Sequence, residues 1–573
     1  MLVAVAGCIV LTWVLCAAIL VGIGSLVLRC LDRSFHSTDA FWVGLAASVA
    51  FLQIWNLFSP VNAAADLPLA VAGLAGLCLD AGRLFRNAVR IIASNKLFLI
   101  AYAGIVAVIG LRAAGPCEHF DTGLYGAQAV RWLVGYPAVL GLANVHGRFG
   151  FNTSVFLCDA ALDHGPWRDL YFHVFPGLLL FVFWIPVLRA LQRVFTYDSA
   201  STSDWFHTIL VIPASWWSAR GYVVGTTTDE PTAIVALVAA GILFQWLAQD
   251  WEATAYSEWD SRLFTAATLF SLVVTFKLSM LVFAVVAWGL LFLTLWSKRR
   301  SICLKAVFPA SLLVLAPWLV RGIITSGYPF FPDTAFGFPV DWRVPTIYTK
   351  IIVLWVRSWS RIPNVPLAET QGLAWLRPWL HSALRHRSDF PAPVTIAALG
   401  SAAILLLRSR PSRLFRLRPL WLLLPSIAGL LFWLVKAPAL RFATADIWTG
   451  AATLGALGIA LASEIMRPLR PRLTAAAILG AAIWCVLGVG WQQSYQVLDS
   501  VHGFVRLPEA PVTVHPIQSG LVLSVPISEG QCWDAPIPCA PYFKPTLRLR
   551  HPPDFRGGFR SQGLPKVEPQ VPM

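Results

Sequence analysis

"LVAVAGCIVLTWVLCAAILVGIGSLVL" runs from Leu2 to Leu28 without a charged side chain. A helix needs about 20 apolar residues to cross the hydrocarbon core of a bilayer, and this stretch exceeds that. It is too long for a signal peptide, lacks a basic segment before it, and is followed by Arg29 and Arg33, so it reads as a retained membrane helix. A second charge-free run, Leu278 to Trp296, is also long enough to span.

The chain as a whole agrees. It has 573 residues, 57% hydrophobic and 13% charged, with mean hydropathy +0.66. A soluble domain carries about 25% charge, so this chain lacks the polar groups to cover a globular surface. The expectation is an all-α polytopic membrane protein with about 13 transmembrane helices. The net charge is +15, from 44 Lys+Arg against 29 Asp+Glu. In a soluble protein that excess would suggest nucleic acid. Here the basic residues fall between apolar runs, where they set membrane orientation, and no nucleic-acid partner is expected.

Basic clusters stand at Arg29/Arg33, Arg83/Arg86/Arg90/Lys96, Arg189/Arg193, Lys298 to Arg300, Arg408 to Arg418, and Arg467/Arg470/Arg472. Placing all of them on the cytoplasmic side orders the apolar runs between them. The N-terminus then lies outside, and the segments 114–169 and 322–391 become outer loops. Phe206–Ser218 is a weak span, and Ile347–Val356 is a surface-lying or re-entrant helix. Residues 1–491 form the membrane domain. Residues 492–573, polar and proline-rich, form a small extracytoplasmic tail with one β-like run, "LVLSVPI". In that oxidising compartment Cys532 and Cys539 are expected to form a disulfide, and Cys117 and Cys158 are a second candidate pair.

The same ordering sorts the polar residues. "EHFDTGLYGAQAVRWLVGYPAVLGLANVHGRFGFN", Glu118 to Asn152, lies outside and carries Glu118, His119, Asp121, Asn144, His146 and Arg148. Asp229 and Glu230 precede an apolar run, Lys277 interrupts one, and Arg321 and Arg441 follow outgoing ones. All are expected near one boundary. Each also has an ordinary explanation: acids suit helix N-termini, and arginines snorkel to headgroups. Tyr125, Trp132 and Tyr136 would form the aromatic face of an interfacial helix. Gly141, Gly147 and Gly150 would let the backbone turn or approach a ligand. Taken together, the set suggests cations for a phosphate or diphosphate beside a carboxylate able to take a proton.

These residues carry a resemblance. "DTGLYGAQAVRWLVGYPAVLGLANVHGRFGFN", "FKLS", "RGIITSGYPFFP", "LRFATADIW" and "CWDAPIPCAPYF" are similar to the blocks of an uncharacterised bacterial multi-spanning family, DUF8201-like. The acidic outer loop looks like that of the GT-C superfamily of membrane glycosyltransferases, which use polyprenyl-phosphate or polyprenyl-diphosphate sugars. That resemblance implies a transferase of the bacterial inner membrane, active in cell-envelope polysaccharide synthesis. It implies Asp121 as base with Glu118 assisting. His119, Asn144, His146, Arg148, Asp229, Glu230, Lys277, Arg321 and Arg441 would bind substrate. It leaves a divalent metal ion open as cofactor and makes a lipid-linked sugar and membrane lipids the partners. Gly126 departs from the family pattern, which often has His there. Two other classes remain: a transporter or flippase for a polar lipid, and a non-catalytic envelope-assembly protein.

Overall fold

The structure, a computed structural model, describes residues 2–31, 35–196, 200–249, 258–297, 301–365, 367–407, 411–465, 471–487, 504–517 and 520–561. The expected basic positions Arg33, Lys298 to Arg300, Arg408, Arg467 and Arg470 lie outside these residues. The described chain is mostly helical. Among the described residues, 10 helices are long and apolar enough to cross a membrane. Three shorter apolar helices, Ser261–Phe276, Pro391–Leu407 and Pro471–Val486, stand at further expected spans. The weak run Phe206–Ser218 forms two short helices, Thr202–Ile209 and Val211–Ala219, meeting at Leu210.

Burial sorts the helices into two layers. The Asp229–Ala248 helix is 83% buried, while the most apolar part of Leu2–Arg29 is 22% buried. Leu11, Leu15, Leu97, Ile100, Leu293 and Trp296 all face outward. An outer ring this apolar has no place in water, because hydrocarbon must cover it. The chain is therefore a polytopic helical membrane protein.

Lipid tails offer no hydrophobic drive between helices, so close packing of small residues holds them together. A Cβ added at Gly24 would lie 1.7 Å from the Ala40 carbonyl oxygen, and one at Gly44 would lie 1.9 Å from that of Leu20. The Leu2–Arg29 and Ser37–Phe58 helices thus touch backbone to backbone. A Cβ at Gly400 would meet the Leu454 carbonyl at 2.4 Å, a second contact of the same kind.

The tail, from residue 504, packs onto the segment 114–169, expected as the first outer loop. Strands Val512–Ile517 and Leu521–Pro526 pair antiparallel, as do Leu547–Leu549 and Phe559–Ser561. Cys532 and Cys539 are bonded. Gln128 Nε2 donates to the Ala535 carbonyl at 2.7 Å, and the Phe559 amide donates to the Leu140 carbonyl at 2.8 Å. Trp132 packs edge-on against Phe555 and Phe559. Here the structure corrects two expectations. The helix after Asp121 is no interfacial aromatic face: Tyr125 and Trp132 are buried in a core shared with the tail. Cys117 and Cys158 are both free thiols. Cys158 sits inside the Val155–Leu162 helix, whereas Cys117 faces the Val224 carbonyl.

Lys544 anchors the tail from inside. It is 5% exposed, donates to the Asn144 carbonyl at 2.9 Å, and lies 4.4 Å from the centre of the Tyr348 ring. Burial pushes its ammonium down to about 8.

Two outcomes follow from this packing. Gly24→Leu should unfold at a clearly lower temperature than wild type in detergent, exceeding the ~1–3 kcal/mol of ordinary overpacking because the clash is with backbone. Gly104→Ala, with nothing within 4 Å of the added methyl, should not. For Lys544 the folded chain binds fewer protons than the unfolded chain between about pH 8 and the ordinary lysine range. Over that window the Tm of wild type should rise relative to Lys544→Met, and parallel curves would exclude a penalised charge.

Candidate functional site

The site is built on three clamps. In the first, a π-helical turn at Thr122–Gly126 follows Asp121, a widened geometry that recurs at functional sites. The Thr226 amide donates to Thr122 Oγ1 at 3.0 Å, which ties this turn to the segment before Asp229. Gly126 is required here, since a Cβ would sit 1.9 Å from Thr226 Oγ1. In the second clamp, Thr153 Oγ1 donates to the Phe276 carbonyl at 2.7 Å and the Ser154 amide to that of Thr275 at 2.9 Å. These bonds bind the end of the outer loop to the Lys277 junction. In the third, Asn152 and Trp318 bond reciprocally: Asn152 Nδ2 donates to the Trp318 carbonyl at 2.7 Å, and Trp318 Nε1 donates to the Asn152 carbonyl at 2.9 Å. Asn152 adopts the left-handed conformation, φ 52°, which asparagine tolerates better than most residues.

The clamps bring five charged side chains into an alternating row. Arg148 Nη1 lies 3.2 Å from Asp121 Oδ1. Arg441 Nη2 lies 3.0 Å from Asp121 Oδ2, and its Nη1 lies 3.4 Å from Asp229 Oδ2. Lys277 Nζ pairs with Asp229 Oδ1. The order is Arg148, Asp121, Arg441, Asp229, Lys277, with a cation at each end. Of the two end cations, Arg148 is 32% exposed and Lys277 17%, so the Arg148 end is the more open to solvent. Arg441 lies 5.0 Å from the centre of the Trp359 ring, and Lys277 lies 3.8 Å from that of Phe442.

Burial raises the Asp121 carboxyl, but the Arg441 and Arg148 guanidiniums outweigh it and hold the group well below the usual carboxylate range. Burial likewise works against the charge of Arg441, yet Asp121 and Asp229 keep it firmly protonated. All four carboxylate oxygens of the two acids face cations. That donor set does not fit a divalent metal, which needs carboxylates free of competing positive charge. Among the described residues, no group of three or more His, Cys, Asp or Glu side chains comes together as a metal site.

The other expected site residues stand apart from the row. Glu118 is exposed, with no hydrogen bond or ion pair among the described residues. Glu230 is buried and accepts from Thr227 Oγ1 at 2.6 Å. Asn144 is fully buried and donates to the Gly141 and Trp342 carbonyls at 3.1 and 2.8 Å, so it braces a turn. His119 lies edge-on to Tyr222 with its Nδ1 3.3 Å from Thr122 Oγ1. His146 is ringed by Tyr125, Phe149 and Tyr542, with neither ring nitrogen hydrogen-bonded. Burial lowers both histidines, so both are neutral at neutral pH. Arg321 is 4% exposed, makes no ion pair among the described residues, and lines a cavity that Arg148 also borders. The glycines approach the chain itself: a Cβ at Gly147 would meet Ile352, and one at Gly150 would meet Phe331. Trp359, Phe442 and Lys544 carried no signal as site residues, since a tryptophan or phenylalanine in an apolar chain is unremarkable and the lysine lies in the tail.

No curated protein and no solved structure matches the chain. The family model for a domain of unknown function, DUF8201, matches residues 7–448, which includes all five residues of the charged row. The chain belongs to the DUF8201 family.

Proposed function

We propose that the protein is an integral membrane glycosyltransferase of GT-C type in a bacterial inner membrane. It moves a sugar from a polyprenyl-(di)phosphate donor to an acceptor on the extracytoplasmic face, the side of the C-terminal tail. The observation that carries this proposal is the row of Arg148, Asp121, Arg441, Asp229 and Lys277, drawn from four separate regions of sequence. Three cations against two carboxylates leave one positive charge in excess, which suits a phosphate-bearing ligand.

The chemistry runs through Asp121. The acceptor hydroxyl gives its proton to the Asp121 carboxylate as its oxygen bonds to the sugar. The bond between sugar and phosphate breaks, and the phosphate oxygen leaves with the electron pair, stabilised by the nearby cations. A carboxylate gripped by two guanidiniums is a weak base. A donor phosphate competes for those guanidiniums, so donor binding itself restores the basicity of Asp121.

Asp121→Asn should insert normally and lower transfer by roughly 10²- to 10⁴-fold, the usual loss on removing a general base. The readout is the surface glycan made by cells carrying only the variant. Glu369→Gln, an exposed position in the other expected outer loop, 322–391, should leave it unchanged. Undiminished glycan in the Asp121→Asn strain would remove the catalytic role.

A further inference from the structure

Arg321 is a buried cation with nothing to bind. It is 4% exposed, and its Nε and Nη1 have no hydrogen-bond partner. It sits five residues before the end of the Ser301–Ser326 helix, so its charge is held below the helix end rather than in water. Such a group is costly, and an ionisable side chain inside a membrane protein persists where it has a ligand or partner. Among the described residues no carboxylate pairs with it.

A cavity explains the orphan. Arg321 lines a void of about 40 Å³ together with Asn56, Trp132, Arg148, Asn152 and Thr325. A buried water needs roughly 10–15 Å³ measured this way, so the void takes about three waters or one phosphate-sized group. Arg148 lines the same void while also pairing with Asp121. Two guanidiniums therefore border one small space, and planar guanidinium forks match phosphate oxygens. The Asn56 and Asn152 side-chain oxygens are also buried and unpaired. They are left to accept from a water or a ligand hydroxyl.

We propose that this cavity is an oxyanion site, in which Arg321 and Arg148 bind a single phosphate group distinct from the Asp121–Arg441–Asp229 pairs. Occupancy there draws Arg148 off Asp121, so the cavity and the charged row communicate through one side chain. Only the identity of the ligand as a lipid-linked donor rests on the glycosyltransferase proposal. The anion site itself does not.

The test is thermal unfolding of the full chain in neutral detergent, titrated with inorganic phosphate and, separately, with farnesyl phosphate. Wild type should be stabilised by at least one of them, and Arg321→Met should need roughly tenfold or more of the same probe for the same shift. Without ligand, Arg321→Met should melt at or above the wild-type temperature, because a buried unpaired charge has gone. A response to farnesyl phosphate alone assigns the site to a lipid headgroup. An equal response to both probes assigns it to free phosphate. No stabilisation of wild type by either probe overturns the proposal, as does an equal response in Arg321→Met. Should the methionine variant fail to fold, Arg321→Lys keeps the charge without the fork, and a response equal to wild type from it overturns the proposal too. Asp121→Asn, which should lower transfer roughly 10²- to 10⁴-fold, should keep the phosphate response, so the two proposals fail separately.

Discussion

Asp121 and Asp229 share Arg441. They lie more than a hundred residues apart, and the guanidinium between them comes from two hundred residues further on. Each acid has a second cation, Arg148 for Asp121 and Lys277 for Asp229. Removing one partner from a buried pair costs about 3–5 kcal/mol, because the charge left behind is uncompensated. The cost here is graded, since Arg148 is partly open to water and Asp229 is not. Loss of a partner should therefore cost more at Asp229, which is 9% exposed, than at Arg148, which is 32% exposed.

Much of the surrounding structure keeps that row in register. The reciprocal bond between Asn152 and Trp318, the Thr153 bond to Phe276 and the Thr226 bond to Thr122 each join the outer loop to a different part of the bundle. The tail roofs the loop through Trp132 and Lys544, which shields the loop's backbone groups from water. Close glycine contacts lock the helices beneath. A site assembled from four regions needs such support, since a displacement of about 1 Å costs catalytic geometry heavily.

The spans were legible because a bilayer demands long apolar runs and tolerates few charges between them. The shared level of Asp121, Asp229, Lys277 and Arg441 was legible for the same reason: charges concentrate where apolar runs end. Depth along the membrane is written in hydropathy, but rotation about each helix is not. That is why Arg321, at the expected level, turns toward a separate cavity. It is also why Cys117 and Cys158, both in the outer loop, do not meet. The roles of Asn144 and the loop glycines were hidden by the tail. Residues that suggest a ligand site turn out to contact Phe559, Ile352 and Phe331, distant segments whose approach no local pattern announces.

Whether the charges are energetically one unit can be measured directly. A double-mutant cycle on Asp121→Asn and Arg441→Gln, read as thermal stability of the full chain in detergent, isolates their coupling. Contact within a shared network predicts an interaction energy of about 0.5–3 kcal/mol, with the double variant less destabilised than the sum of the singles. Strict additivity would mean that the two side chains do not hold each other, and the account of the site would fall with it.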